Sequence, residues 1–335
     1  MIQRSFVLAA TMLAFAAHAA PSLQTVTGIV GGAGTSCASF MPAPELAFFT
    51  FAPANVSLCG IAAAGYSGGY RAQSATAGVL TQHDSLAPVA LGPPQTGAGF
   101  YSGTADARAQ YGSLGAAAHS QISAPGTYGV TTALFDSTAA AIFADTLTVL
   151  SPLVVVTSPG TVRYRFEVEG SLSAPGAVAP ATPGDTRVVL NLQHDGGRVS
   201  EVMNASVRRG ETGLVSNRPP PAGWVTSTGS LSGGSTFFSL DEAIVWGQPW
   251  DLRLGLLAWS YGTADTLFHN TARLTGVQVF DSAGVEITDF SLLAASGTDY
   301  LHPVPEPAAA WLMAAGLCAL RLCRMRGNSL SAQAK

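Results

Sequence analysis

Between residues 161 and 169 the chain alternates strictly, reading T-V-R-Y-R-F-E-V-E. Val162, Tyr164, Phe166 and Val168 share one face, and Arg163, Arg165, Glu167 and Glu169 share the other. That period of two predicts a half-buried antiparallel strand with a charged solvent side. Further strands are predicted over 186–193, 250–259, 275–280 and 285–292. The last two are joined by Asp281-Ser282-Ala283-Gly284, a turn opened by Asp and closed by Gly. Shorter strands are expected over 145–149 and 153–157, and proline-bearing loops over 173–184 and 218–223. The stretch 60–141 is rich in Ala, Gly, Ser and Tyr; it reads as short strands and long loops, with a helix around 105–120. Many short strands separated by turns predict an all-β body, an antiparallel β-sandwich or jelly roll, over residues 22–302.

Both ends break this pattern. Arg4, an apolar run from Phe6 to Ala17 and the triplet Ala17-His18-Ala19 make residues 1–19 a signal peptide with an A-x-A cleavage site. At the other end come Val304-Pro305-Glu306-Pro307, uncharged residues from Ala308 to Leu320, and then Arg321, Arg324 and Arg326. As a helix, 308–320 spans about 20 Å, short of a bilayer core of about 30 Å. Extending it to 323 requires Arg321 to snorkel. Such a helix is marginal as a permanent anchor and better suited to a temporary hold. The arginines set the C-terminus on the cytoplasmic side and the body outside. The prolines keep residues 303–307 extended. An unprocessed single-span anchor is the alternative.

Taken together, residues 303–328 resemble the PEP-CTERM sorting tail found on exported proteins of bacteria with a polysaccharide matrix. The resemblance implies three partners: the secretion translocon, signal peptidase and an exosortase-type membrane protease. It also implies delivery to the cell surface or extracellular matrix after transient anchoring. The segments beginning at Asp145, Arg163 and Phe268, with Ala295 to Tyr300, are similar to the uncharacterised β-rich bodies of that class; this implies a sandwich but transfers no site.

Composition narrows the partners. Removing Arg4, Arg321, Arg324, Arg326 and Lys335 from the 16 basic residues leaves 11, and removing Glu306 from the 20 acidic ones leaves 19. A body of net charge −8 with no lysine argues against nucleic acid and anionic lipid. Cys37 and Cys59 are the only thiols outside the tail, and an oxidising exterior makes them a disulfide. Two free buried thiols or a two-ligand metal site are the alternatives.

No catalytic motif stands out. Gly65-Tyr66-Ser67-Gly68-Gly69 matches G-x-S-x-G, but it lacks the strand-to-helix context of a nucleophile elbow. Glu167 and Glu169 lie beside two arginines on one strand face, not opposed across a sugar. The histidines lack zinc-binding spacing. No cofactor is expected; a structural calcium remains open, with no ligands assignable and the metal unknown. Trp224, Trp246, Trp250 and Trp259 are expected to pack in the core, with sugar stacking as the alternative, and Trp224 beside the proline loop is the candidate for exposure. The chain therefore reads as an exported, non-catalytic surface or matrix protein. An exopolysaccharide-binding module is the alternative and a secreted hydrolase a weaker third.

Overall fold

The computed structural model describes residues 19–33, 40–42, 44–49, 57–59, 66–90, 100–123, 133–175, 184–208, 211–214, 224–227 and 229–301. The first half of the chain carries β1 (Ser22–Ala33), β2 (Phe40–Pro42), a 3-10 turn (Pro44–Phe48), β3 (Ser57–Cys59), β4 (Tyr66–Ala75), β5 (Leu80–Ala90), β6 (Phe100–Gln110), β7 (Ser113–Ser123) and β8 (Ala133–Leu150). Then come β9 (Pro159–Ser173), β10 (Asp185–His194), β11 (Val199–Arg208), β12 (Glu211–Leu214), β13 (Trp224–Ser227) and β14 (Ser230–Val245). The chain continues with β15 (Pro249–Tyr261), β16 (Ala264–Phe280), β17 (Glu286–Ile287) and β18 (Ser291–Ala294).

The strands make two antiparallel sheets. One runs β12-β11-β10-β15-β8-β1-β4, with β18 added on β8; the other runs β13-β14-β9-β16-β7-β6-β5, with β17 added on β16. Alternate side chains of both layers meet in one core. Phe143, Leu147, Leu190, Leu254 and Leu256 come from the first sheet, and Tyr101, Leu114, Tyr164, Phe166 and Phe268 from the second. The all-β sandwich expected from the alternation is the observed fold, and no α-helix occurs among the described residues.

Several local expectations are corrected. Residues 105–120 form the β6–β7 hairpin rather than a helix: Ala105, Ala107 and Ala109 point inward while Asp106, Arg108 and Gln110 point out. Alanine hid that alternation, because it marks neither face. Residues 153–157 are turn, not strand; their β-branched side chains have no partner strand to pair with. The predicted strand 285–292 is split, because β17 pairs with β16 in one sheet while β18 crosses to pair with β8 in the other. Periodicity cannot register a change of layer. The turn before it is as expected, with Asp281 Oδ1 accepting from the Ala283 and Val285 amides at 2.9 and 2.8 Å.

The proposed cleavage region up to residue 18, Cys37 and the tail from His302 onward fall outside the described residues, as do Val304, Pro305, Glu306, Pro307, Arg321, Arg324 and Arg326. Cys59 is placed only as backbone in β3.

Candidate functional site

The outer surface of the first sheet is plugged. Leu46, Phe48 and Phe49, at and just after the 3-10 turn, bury themselves against Val26, Ala140, Ile142, Val189, Leu257 and Trp259. Polar contacts hold the plug as well: Tyr70 donates to Glu45 at 2.5 Å, Asn191 Nδ2 donates to Phe48 O at 3.4 Å, and Arg253 lies 4.4 Å over the Phe48 ring. The approach depends on Gly255, where a Cβ would come 2.5 Å from Phe48 Cε1.

The second sheet presents a polar outer surface. His83 on β5 stands directly opposite Asp106 on β6, and His119 on β7 directly opposite Asp265 on β16. His83 Nδ1 lies 2.6 Å from Asp106 Oδ1, and His119 Nδ1 pairs with Asp265 Oδ1. The Asp265 carboxylate beside it raises the His119 pKa above its usual 6.5, against the opposing effect of burial. Farther along the sheet, Arg163 holds Asp241 through two hydrogen bonds of 2.6 and 2.7 Å, and Glu167 lies between Phe237 and Arg273 on the neighbouring strands.

A groove of about 310 Å³ opens on this surface, lined by Thr81, His83, Asp106, Arg108, Gly115 and His269, among others. Its floor is low because β7 contributes Gly115 there, with Ala117 next on the same face. One wall is raised by an irregularity: from Phe268 to Ala272, β16 spends two more residues than β7 does from Ala116 to Leu114. Bulges of this kind re-aim side chains, and here His269 joins the groove. The result is a shallow polar trough with two imidazoles, a guanidinium, a carboxylate and a hydroxyl. It can bind a hydrophilic ligand by hydrogen bonding. Among the described residues no three His, Cys, Asp or Glu side chains come together as a metal site.

Trp224, the candidate for an exposed sugar-stacking ring, is instead packed inside. Trp224 is only 8% exposed. Its ring stacks on Phe268 with centroids 6.2 Å apart, and its indole N–H donates to Thr236 Oγ1. Gly233 makes room, since a Cβ there would fall 2.6 Å from the indole. Trp246, Trp250 and Trp259 are buried too. Proximity to a proline-rich loop suggested exposure, but alternation within the short β13 turns Trp224 inward and leaves Val225 outside. Ser67 sits within β4, paired with Gly31, rather than at a strand-to-helix elbow.

No protein-family model, curated protein or solved structure matches this chain. Sequence inspection missed the groove because His83, Arg108 and His269 are far apart in the chain; only β5, β6, β7 and β16 lying side by side bring them together. The alternation of β6 and β7 was the available signal.

Proposed function

We propose that this chain is an exported, non-catalytic protein of the cell surface or extracellular matrix, delivered by its C-terminal PEP-CTERM-like segment. One observation carries most weight: both sheets are assembled from residues 22–294, and the segment after β18 is then tied into the core at Tyr300. Asp145 accepts hydrogen bonds from the Tyr300 hydroxyl at 2.7 Å and the Ser296 amide at 3.0 Å. The body therefore closes three residues before Pro303, where the proline run of the sorting signal starts. In this reading residues 303–328 serve as the address. The test is the intact mass and location of the protein in its host, with and without Pro305, Glu306 and Pro307 replaced by alanine. The expected result is a native form lacking everything after about Pro305 and a variant retained full-length in the membrane. A native form that stays full-length and ignores the substitutions overturns the reading.

The groove favours a second reading, an exopolysaccharide-binding body. A volume of about 310 Å³ accommodates a sugar unit, and its lining matches hydroxyls better than an apolar ligand. In this reading the sugar is held by hydrogen bonds rather than by stacking on Trp224.

A further inference from the structure

One end of the sandwich is apolar where it should be wet. The β8–β9 loop exposes Leu153, Val155 and Val156 at 68%, 77% and 53%. Leu150, Val245, Val285 and Leu293, also exposed, lie at the same end, because β8 and β14 finish there, the β16–β17 turn lies there and β18 pairs with the end of β8. Scattered exposed apolar residues are ordinary, whereas a contiguous cluster marks a contact surface.

The loop is built to hold that cluster out. The Thr157 amide donates to Trp246 O at 2.7 Å, the Trp246 amide to Ser158 O at 2.9 Å and the Gly247 amide to Val149 O at 3.0 Å. Ser151 Oγ donates to Asp289 O at 2.6 Å and accepts from the Leu153 amide at 3.0 Å. Thr157 has φ of 77°, a left-handed conformation that costs a β-branched residue energy and persists only where surroundings impose it. A strained, pinned loop that displays aliphatic side chains has not collapsed onto its own core.

We propose that this end rests on the lipid bilayer while the chain is held by its C-terminal apolar segment, with Leu153, Val155 and Val156 dipping into the interface. The inference relies on the sorting-tail reading, and tether length selects the end. Six residues lie between Leu301 and Ala308, and the seven steps of chain give an extended reach of about 22–25 Å. Leu301 follows Tyr300, which is fixed at Asp145. From Asp145 to Leu150 is five residues of β8, about 17 Å; from Asp145 to Ala133 is twelve, about 40 Å. The tether reaches the level of the apolar end and falls short of the opposite one. The chemistry names the lipid as well. Residues 150–158, 245–249 and 281–295 contain no Lys or Arg but include Asp281, Glu286 and Asp289, so the contact suits zwitterionic headgroups and not anionic ones.

The test uses the full-length chain in phosphatidylcholine vesicles containing brominated phosphatidylcholine, which quenches nearby indoles. Val155→Trp places a reporter at the apolar end, and Val225→Trp places one on β13, exposed and away from that end. Trp311 lies in the tail, so the difference between wild type and Trp311→Phe reports whether the tail is inserted. The expected result is quenching of Trp311 together with added quenching in Val155→Trp and none in Val225→Trp. Quenching of Trp311 without any excess in Val155→Trp over Val225→Trp overturns the docking while the tail reading stands. No quenching of Trp311 removes the tether, and the proposal falls with it.

Discussion

The hydroxyl of Tyr300 donates to Oδ2 of Asp145 at 2.7 Å, across 155 residues of chain. Asp145 is buried on the inward face of β8 and also accepts from the Ser296 amide and hydroxyl and from the Thr146 amide. A buried carboxylate with several donors is a strong fastening. Tyr300 adds its ring, stacked 6.3 Å from Phe143. Removing the hydroxyl with Tyr300→Phe should cost about 1–2 kcal/mol, and Asp145→Ala, which strands several donors, about 3 kcal/mol or more. Urea unfolding of the two variants checks both values and their order.

Trp224→Ala should lower stability by about 3–5 kcal/mol, the usual cost of emptying a buried aromatic site. It should leave polysaccharide binding unchanged. A variant that keeps wild-type stability and loses binding would restore the exposed-tryptophan expectation; paired denaturation and affinity electrophoresis decide.

The groove makes the opposite forecast. Gly115→Leu fills its floor, and His83→Ala combined with His269→Ala strips its walls, where both imidazoles stand exposed. Each should weaken exopolysaccharide retardation in affinity gels at least about tenfold, equivalent to 1.4 kcal/mol, while melting temperature stays near wild type. Unchanged retardation would rule out the groove as the sugar site.

Two histidines should give stability opposite dependences on pH. Burial lowers the pKa of His194 below its usual 6.5. Its Nδ1 accepts from the Tyr164 hydroxyl at 3.1 Å, and its Nε2 donates to Ala243 O at 3.0 Å, so the neutral ring is the one that fits. The unfolded chain then binds the proton first, and stability falls as pH drops from 6.5 through the lowered folded value. For His119, raised by Asp265, the contribution is complete below 6.5 and disappears as pH rises through the folded value. Unfolding curves from pH 5 to 8 should lose the acid-side slope in His194→Gln and the slope above 6.5 in His119→Gln.

Gly255→Val should dislodge the plug, since even a Cβ meets Phe48 at 2.5 Å. The measurable outcome is faster proteolysis of the Pro44–Phe48 segment together with a lower melting temperature, both absent in a Gly276→Ala control, where a Cβ meets nothing within 4 Å.

What could be read from sequence follows the physics of alternation. Residues 161–169, in β9, show a clean contrast of large apolar and polar side chains, whereas 186–193 and 250–259, in β10 and β15, are apolar on both faces where the plug covers them and were legible as apolar β-forming runs. The hairpin at 100–123 was hidden because alanine carries too little contrast. Val154, Val155 and Val156 looked like a strand because β-branched residues favour one, but strand formation also needs an edge to pair with. The plug at 44–49 and the histidine groove depend on contacts between residues about 20 to more than 200 positions apart, which no local pattern encodes. Asp145 and Tyr300 both fell within segments singled out by the family likeness, yet only the folded chain shows that one holds the other.

The plug on the first sheet also sets how copies of this molecule can be arranged. With Leu46, Phe48 and Phe49 seated over β1, β8, β10 and β15, one broad side is already occupied by the molecule's own chain. Broadside stacking can use only the other side, so it ends after two copies and cannot run on as a filament.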